Sequence, residues 1–325
     1  MEKGIVCVTG GTGYVASWLI MRLLQHGYAV NTTVRSHPDQ KKDVSYLTNL
    51  PGASERLRIF NADLDRPESF NDSIQGCVGV FHVAHTIDFE GKEDEETNTK
   101  RSINATISIL QACVDSKTVK RVVYTSSGST VMFSGKDLSV LDEKTWTDID
   151  FLRSLKTLGE SYYISKTLTE RAALDFADAH GLELVTVIPT FIHGPFITPH
   201  CPGSVRTSMS MIFGDEKMFA FSASTPFVHI DDIATAHIYL FEYPNARGRY
   251  ICSAADITLD EFPKFLSQRY PEYNVSSTSF LKNVKDSKIF RLSSKKLLDT
   301  GFKYKYGLEE MYDDAIECCK QKGLL

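Results

Sequence analysis

No apolar run in this chain approaches the ~18–20 residues that a membrane-crossing helix needs. A surplus of positive charge is absent too. The formal net charge is −5, so no basic field gathers nucleic acid or anionic lipid. The chain has no internal repeat, low-complexity tract or Gly/Ser linker. Its seven cysteines (Cys7, Cys77, Cys113, Cys201, Cys252, Cys318 and Cys319) form no C-x-x-C pair and no metal-like spacing. Met1-Glu2-Lys3-Gly4 runs straight into an apolar strand pattern without a signal-peptide core. With an odd cysteine count, that suits reduced, structural thiols in the cytosol. These absences make a soluble cytoplasmic protein the expectation, a monomer or weak homodimer. Its partner is then a small molecule rather than a nucleic acid or a membrane.

What is present is an alternation of two periodicities. The 325 residues suffice for one large α/β domain, with or without a smaller lobe. Ile5-Val6-Cys7-Val8 reads as a buried strand, and Tyr14 to His26 has helical spacing that stops at Gly27. Ala29 to Val34, Leu57 to Phe60, Gly79 to Val83, Arg121 to Tyr124 and Glu183 to Ile188 read as further strands. Helices are expected at about 39–49, 67–75, 94–116 and 158–180. Glu93-Asp94-Glu95-Glu96 reads as a solvated helix start, where carboxylates suit the helix dipole. Strand–helix alternation of this kind builds an α/β, doubly wound parallel sheet of Rossmann type. Beyond Pro189 proline and glycine cluster and the pattern turns irregular. The expected division is therefore a dinucleotide-binding domain over 1–190 and a smaller, mainly substrate-binding lobe over 191–325. Segments near 225–255 are expected to return to the first domain.

Thr9-Gly10-Gly11-Thr12-Gly13-Tyr14-Val15-Ala16 joins the first strand to the first helix. Gly10, Gly13 and Ala16 follow a G-x-x-G-x-x-G/A spacing. Small residues there let the backbone turn tightly and approach a pyrophosphate at the helix N-terminus. The second strand ends Thr33-Val34-Arg35-Ser36, with Arg35 22 residues after Gly13. An NAD site needs a carboxylate here for the ribose 2′-OH, whereas an arginine fork pairs with a 2′-phosphate. NADP(H) is thus the expected cofactor. Lys41 and Lys42 follow and add charge. Asp63-Leu64, after the third strand, either meets the adenine edge or caps the turn.

Tyr162-Tyr163-Ile164-Ser165-Lys166 contains Y-x-x-x-K. Positions i and i+4 share a helix face, so Tyr162 and Lys166 can point into one site. A neighbouring ammonium is expected to lower the phenol below its ordinary ~10 and fit it for proton transfer. Thr125-Ser126-Ser127 closes the fifth strand. A hydroxyl there can hold a substrate oxygen beside the cofactor crevice. Which serine acts is open on this pattern.

The glycine motif, the strand-end serines and Y-x-x-x-K, in that order, resemble the extended short-chain dehydrogenase/reductases. Phe60-Asn61-Ala62-Asp63-Leu64, Gly76-Cys77-Val78-Gly79-Val80-Phe81-His82, Val228-His229-Ile230-Asp231-Asp232 and Asp313-Asp314-Ala315-Ile316 resemble their plant dihydroflavonol-reductase-like group. Leu47-Thr48-Asn49-Leu50-Pro51-Gly52-Ala53-Ser54-Glu55 is most similar to the vestitone reductases, which reduce an isoflavanone ketone with NADPH. Gly194-Pro195-Phe196-Ile197-Thr198-Pro199-His200 resembles the noscapine synthases, which oxidise an alkaloid hemiacetal with NADP.

The resemblance implies that Ser127 is the catalytic serine, with Tyr162 and Lys166. Asn104 stands where the superfamily often has an asparagine that orders a relay water; the alternative is a buried helix asparagine bonded to backbone. Of the two lysines the resemblance favours Lys42. It places Pro189 and Thr190 at the nicotinamide and Ser204 at cofactor or substrate. Val83, Ala84, Thr125, Ser126 and Ile192 are also expected at the cofactor. Phe89, Met132, Phe191, Ile192, Met209, Phe213 and Phe227 would form an apolar wall, or plain core.

Three departures bear on the substrate. Met132 stands where dihydroflavonol reductases have an asparagine for the B-ring hydroxyls. The cinnamoyl-CoA reductase signature around the catalytic tyrosine is absent. His85 follows the fourth strand where relatives usually have a small residue. It and His193, after the sixth strand, either bond a substrate oxygen or tune proton transfer, or are loop histidines bonded to backbone. The expected activity is NADPH-dependent reduction of a plant phenolic or alkaloid ketone. The alternatives are NADP-dependent oxidation of an alkaloid alcohol or hemiacetal, a non-catalytic NADP-binding regulator, and a sugar-nucleotide epimerase or dehydratase. The last needs basic residues in the C-terminal lobe, for which Arg206 and Arg249 are scattered candidates.

Overall fold

The computed structural model describes residues 3–35, 43–86, 93–215, 224–273, 275 and 291–325. Its strands are β1 (Ile5–Val8), β2 (Ala29–Val34), β3 (Leu57–Asn61), β4 (Gly79–His82), β5 (Arg121–Thr125) and β6 (Val140–Leu141). The second half adds β7 (Leu184–Pro189), β8 (Phe191–His193), β9 (Ser224–His229), β10 (Gly248–Cys252), β11 (Ala255–Thr258) and β12 (Arg291–Leu292). The helices that matter for the site are α1 (Tyr14–Gln25), α2 (Glu95–Ser116), α3 (Glu160–His180), α4 (Ile230–Glu242) and α5 (Leu308–Gln321).

Seven strands form one sheet in the order β10-β7-β5-β4-β1-β2-β3. All its pairings are parallel. A parallel sheet is covered on both faces, which is why β5 and β7 are buried along their whole length. One apolar layer packs α1 and α4 on the sheet, and the opposite layer packs α2 and α3. A third cluster lies under α5 and the helix Gly203–Ser208. Strand order reverses between β1 and β4, so the crevice for a ligand opens at their carboxyl ends. Strands β8, β9 and β11 make a second, three-stranded sheet, and β12 pairs with β6.

The local signals act as sequence physics requires. Gly27 has φ +87° and ends α1, with Tyr28 N–H donating to Leu23 O over 3.0 Å. Asp94 caps α2 by accepting from Thr97 N–H at 3.0 Å. Among the described residues no helix is long and apolar enough to cross a membrane. Lys41, Lys42 and Phe89 lie outside the described residues.

Candidate active site

The glycine turn is built by contacts that exclude side chains. Gly10 has φ +75°, and a Cβ there would stand 3.1 Å from that of Ala84. A Cβ on Gly11 would collide with Thr32. Thr9 Oγ accepts from the N–H groups of Val83 and Ala84, both at 3.0 Å, and meets His82 Nδ1 at 2.9 Å. This ties the ends of β1 and β4 together and spends the Val83 and Ala84 N–H groups inside the protein. Gly10 N–H donates to Thr33 Oγ at 3.0 Å and Gly11 N–H to Thr33 O at 2.8 Å. No side chain caps α1 at Gly13 and its first turn has no acidic residue. A close-approach cradle with a free helix N-terminus fits a pyrophosphate. Tyr14 OH donates to Gly194 O at 3.1 Å, joining this turn to the C-terminal half. Half-buried Thr12 lies between these glycines.

Arg35 is exposed at the end of β2, free to meet a 2′-phosphate. Asp63 Oδ1 accepts from Asp65 N–H at 3.2 Å, so its side chain shapes the turn after β3. Leu64 is half-buried against the α2–α3 layer.

The catalytic candidates converge. Ser127 follows β5, half-buried, and accepts from Ser129 N–H at 3.2 Å and Ser129 Oγ at 3.0 Å. It is hydrogen-bonded to Tyr162. Lys166, one turn on, donates to Thr125 O at 2.9 Å and lies over the Tyr124 ring. The electrostatics correct an expectation. Burial pushes the Tyr162 phenol up to about 12, and the bond to Ser127 offsets this only in part. Burial also lowers Lys166 to about 7, which the Glu170 carboxylate opposes. Desolvation dominates at Tyr162, and the expected lowering of the phenol is not found.

His85 stands edge-on to Tyr162 with ring centroids 5.7 Å apart. Its Nε2 is buried with no hydrogen-bond partner. An unpaired buried nitrogen costs about 1–3 kcal/mol. Burial, and then the Lys166 charge, hold the imidazole well below its ordinary value and so neutral.

Other expected residues fall elsewhere. Asn104 is exposed, because α2 turns Asn98, Ser102, Ala105, Thr106 and Ile109 inward. It is therefore not a buried helix asparagine. Thr125 Oγ meets His237 Nε2 at 2.8 Å, and Ser126 Oγ donates to Glu170 at 2.7 Å, so both hydroxyls face the interior. His193 lies on β8 rather than in a loop. It is buried, meets Ser208 Oγ at 2.7 Å and packs on Tyr312. Met209 and Phe227 are fully buried core and offer a ligand no surface. Met132, Phe191, Ile192, Ser204 and Phe213 are half-buried, and Pro189 and Thr190 are buried at the end of β7.

A family model described as the NAD dependent epimerase/dehydratase family matches residues 6–252. The chain belongs to that family. It is an NAD(P)-dependent oxidoreductase of the extended short-chain type. Vestitone reductase of Medicago sativa is 51% identical over 323 residues, covering 99% of both chains. The crystal structure of vestitone reductase from alfalfa superposes with a TM-score of 0.88 at 49% identity, covering 99% of this chain and 100% of that one. Noscapine synthase SDR1 of Papaver somniferum is 50% identical over 327 residues, covering 99% of this chain and 94% of its own.

Within this short-chain oxidoreductase the two basic candidates for a sugar diphosphate are engaged otherwise. Arg249 is buried against Glu170 at 3.0 Å, and exposed Arg206 pairs with Asp215 at 3.4 Å. Sequence reasoning missed Thr33, His82 and Glu170. The signals were present. Asn31-Thr32-Thr33 are polar residues inside a buried strand, and Glu170 continues the i, i+4 series from Tyr162 and Lys166.

Proposed function

We propose that this oxidoreductase is an NADPH-dependent ketone reductase acting on a flat plant phenolic of flavonoid type, isoflavanone-like in shape. The observation that carries the reading is the hydrogen-bonded Ser127–Tyr162 pair with Lys166 one turn beneath it. NADPH, when bound, supplies the hydride. The turn Thr9–Tyr14 would hold its pyrophosphate and Arg35, with Lys42, its 2′-phosphate. Asp63 and Leu64 would flank the adenine, and Pro189, Thr190, Ile192 and Ser204 the nicotinamide. Ser127 holds the carbonyl oxygen, Tyr162 gives it the proton, and Lys166 supports the tyrosine and the ribose. Residues 191–325 act mainly as the substrate lobe.

Direction and substrate rest on two further supports. The same three side chains serve either direction, and reduction is supported by the relatives, among them vestitone reductase and dihydroflavonol 4-reductase. Vestitone reductase at 51% identity together with dihydroflavonol 4-reductase of Arabidopsis thaliana at 47% supports a flavonoid-type ketone, and noscapine synthase SDR1 at 50% supports the second reading, an alkaloid substrate.

Purified protein is to be assayed for NADPH oxidation against isoflavanones, dihydroflavonols and alkaloid ketones, with the matching alcohols in reverse. Tyr162→Phe should lower kcat by roughly 100-fold or more while leaving NADPH affinity nearly unchanged. Near wild-type turnover in that variant overturns the role of Tyr162. Turnover of none of the ketones overturns the substrate class.

A further inference from the structure

We infer that His85 is a specificity-determining residue that hydrogen-bonds a hydroxyl group of the substrate, a phenol remote from the ketone being reduced. This deepens the reductase reading and rests on it for the position of the ketone.

The placement comes first. His85 follows β4, one residue beyond Ala84, which packs against Gly10 of the dinucleotide turn. Its ring then meets Tyr162 edge-on at 5.7 Å. His85 therefore lies between the cofactor turn and the proton donor, beside the place where a substrate ring must sit. The ring array continues past Tyr162. Tyr162 meets Tyr163 at 5.8 Å, and Tyr163 stacks on Phe133 at 5.2 Å. A line of four aromatic rings suits a flat aromatic ligand.

The chemistry of the ring comes second. Most buried polar groups in the protein have partners, as His82 shows with Thr9 on one nitrogen and Thr106 on the other. His85 Nε2 has none. A desolvated, unpaired nitrogen at an active-site wall is a bond reserved for something that enters. A neutral imidazole has one N–H and one bare nitrogen. A hydroxyl both donates and accepts, so it satisfies either tautomer at Nε2, whereas a carbonyl satisfies only one. The reacting carbonyl already has Ser127 and Tyr162. The group left for His85 is a hydroxyl elsewhere on the ring system.

The test compares a trihydroxyflavanone with its trimethyl ether, using full-length protein. With wild type, kcat/KM should favour the free phenol. His85→Phe keeps a ring and removes both nitrogens. It should lower kcat/KM for the phenol by about 10–100-fold, chiefly through KM, and change the ether by less than about threefold. His85→Gln should restore part of the preference. A structural role would depress both probes equally, and that result, or an unchanged preference in His85→Phe, overturns the proposal. Calorimetric titration of the NADP-loaded enzyme with the two probes needs no turnover. If neither flavanone is reduced, the reductase reading falls while the binding difference still decides His85. Equal binding of phenol and ether by wild type, or no binding of either, overturns the role of His85.

Discussion

Ser126 and Ser127 are neighbours in the chain with different surroundings. Ser126 is buried and donates to Glu170, while Ser127 turns to the cleft and Tyr162. Both lie just past the end of β5 and both bond side chains of α3, so the turn that leaves the strand separates them: Ser126 meets the buried Glu170 and Ser127 the Tyr162 end of the helix. Two different losses follow. Ser127→Ala should lower kcat by roughly 100-fold, because it removes an oxygen-holding hydroxyl from the site, while the loss of its bonds from Ser129 costs about 1 kcal/mol in unfolding. Ser126→Ala should keep most turnover and lose about 1–3 kcal/mol in urea unfolding, because it takes a donor from a buried carboxylate. The opposite pattern, with Ser126→Ala the inactive variant, would move the catalytic role to Ser126.

At the scale of elements, the helix that carries Tyr162 is fastened to the far edge of the sheet. α3 presents Tyr162, Lys166 and Glu170 at successive i+4 positions. Glu170 is fully buried and pairs with Arg249 on β10 at 3.0 Å. Arg249 also donates to Glu143 O and Thr145 O, both at 2.8 Å, and to Thr130 Oγ at 2.9 Å. Its guanidinium lies 3.5 Å over the Trp146 ring. One side chain thus joins β10, α3, the turn after Ser127 and the segment around Trp146. Removing one member of such a pair strands a buried charge. Arg249→Met should cost about 3–5 kcal/mol, and Arg249→Met with Glu170→Gln less than the sum of the two single changes. Additive losses in urea unfolding would show that the two residues act independently.

Across the whole molecule the buried histidines dominate the response to acid. Burial holds His82 and His193 at about 3, His229 and His237 at about 4, and His85 well below its ordinary value. The unfolded chain titrates these groups near their ordinary value of 6.5. Between the two values the unfolded state binds more protons than the native state. Stability therefore rises with pH up to about 6.5 and is lost as pH falls below it. Each such histidine contributes a slope of up to about 1.4 kcal/mol per pH unit. Asp232, raised to about 6 by burial, works the other way above the ordinary carboxylate range, as do Glu143, Asp256 and Asp314, which burial also raises. His26, lowered by burial, joins the other five, and six histidines against four carboxylates leave a net loss. The midpoint of urea unfolding should drop steeply from pH 6.5 to pH 4.5, and a flat profile would contradict the burial of these rings.

Much of this was written in the sequence because it depends on local chemistry. Apolar runs alternating with helical spacing mark six strands of the sheet, since strands covered on both faces are largely apolar; β2 with Asn31-Thr32-Thr33 and the exposed edge β3 depart from this. The glycine turn shows in its spacing, since only small residues let backbone approach backbone there. Tyr162 and Lys166 share a face because the helix repeat puts them there. Other features arise only where distant segments meet. β10 joins β7 from some sixty residues along the chain, a pairing no local period encodes. Asn104 faces outward because α2 carries polar residues on its buried side as well, so its polarity pattern does not tell which face packs. The Tyr162 phenol is raised because burial by the whole fold exceeds the effect of its hydrogen bond to Ser127. The sequence by itself determined the sheet, the phosphate turn and the Ser-Tyr-Lys set. Tertiary packing alone decided which hydroxyl faces the cleft, and that His85 keeps an unpaired nitrogen beside Tyr162, because burial and orientation belong to the packed whole.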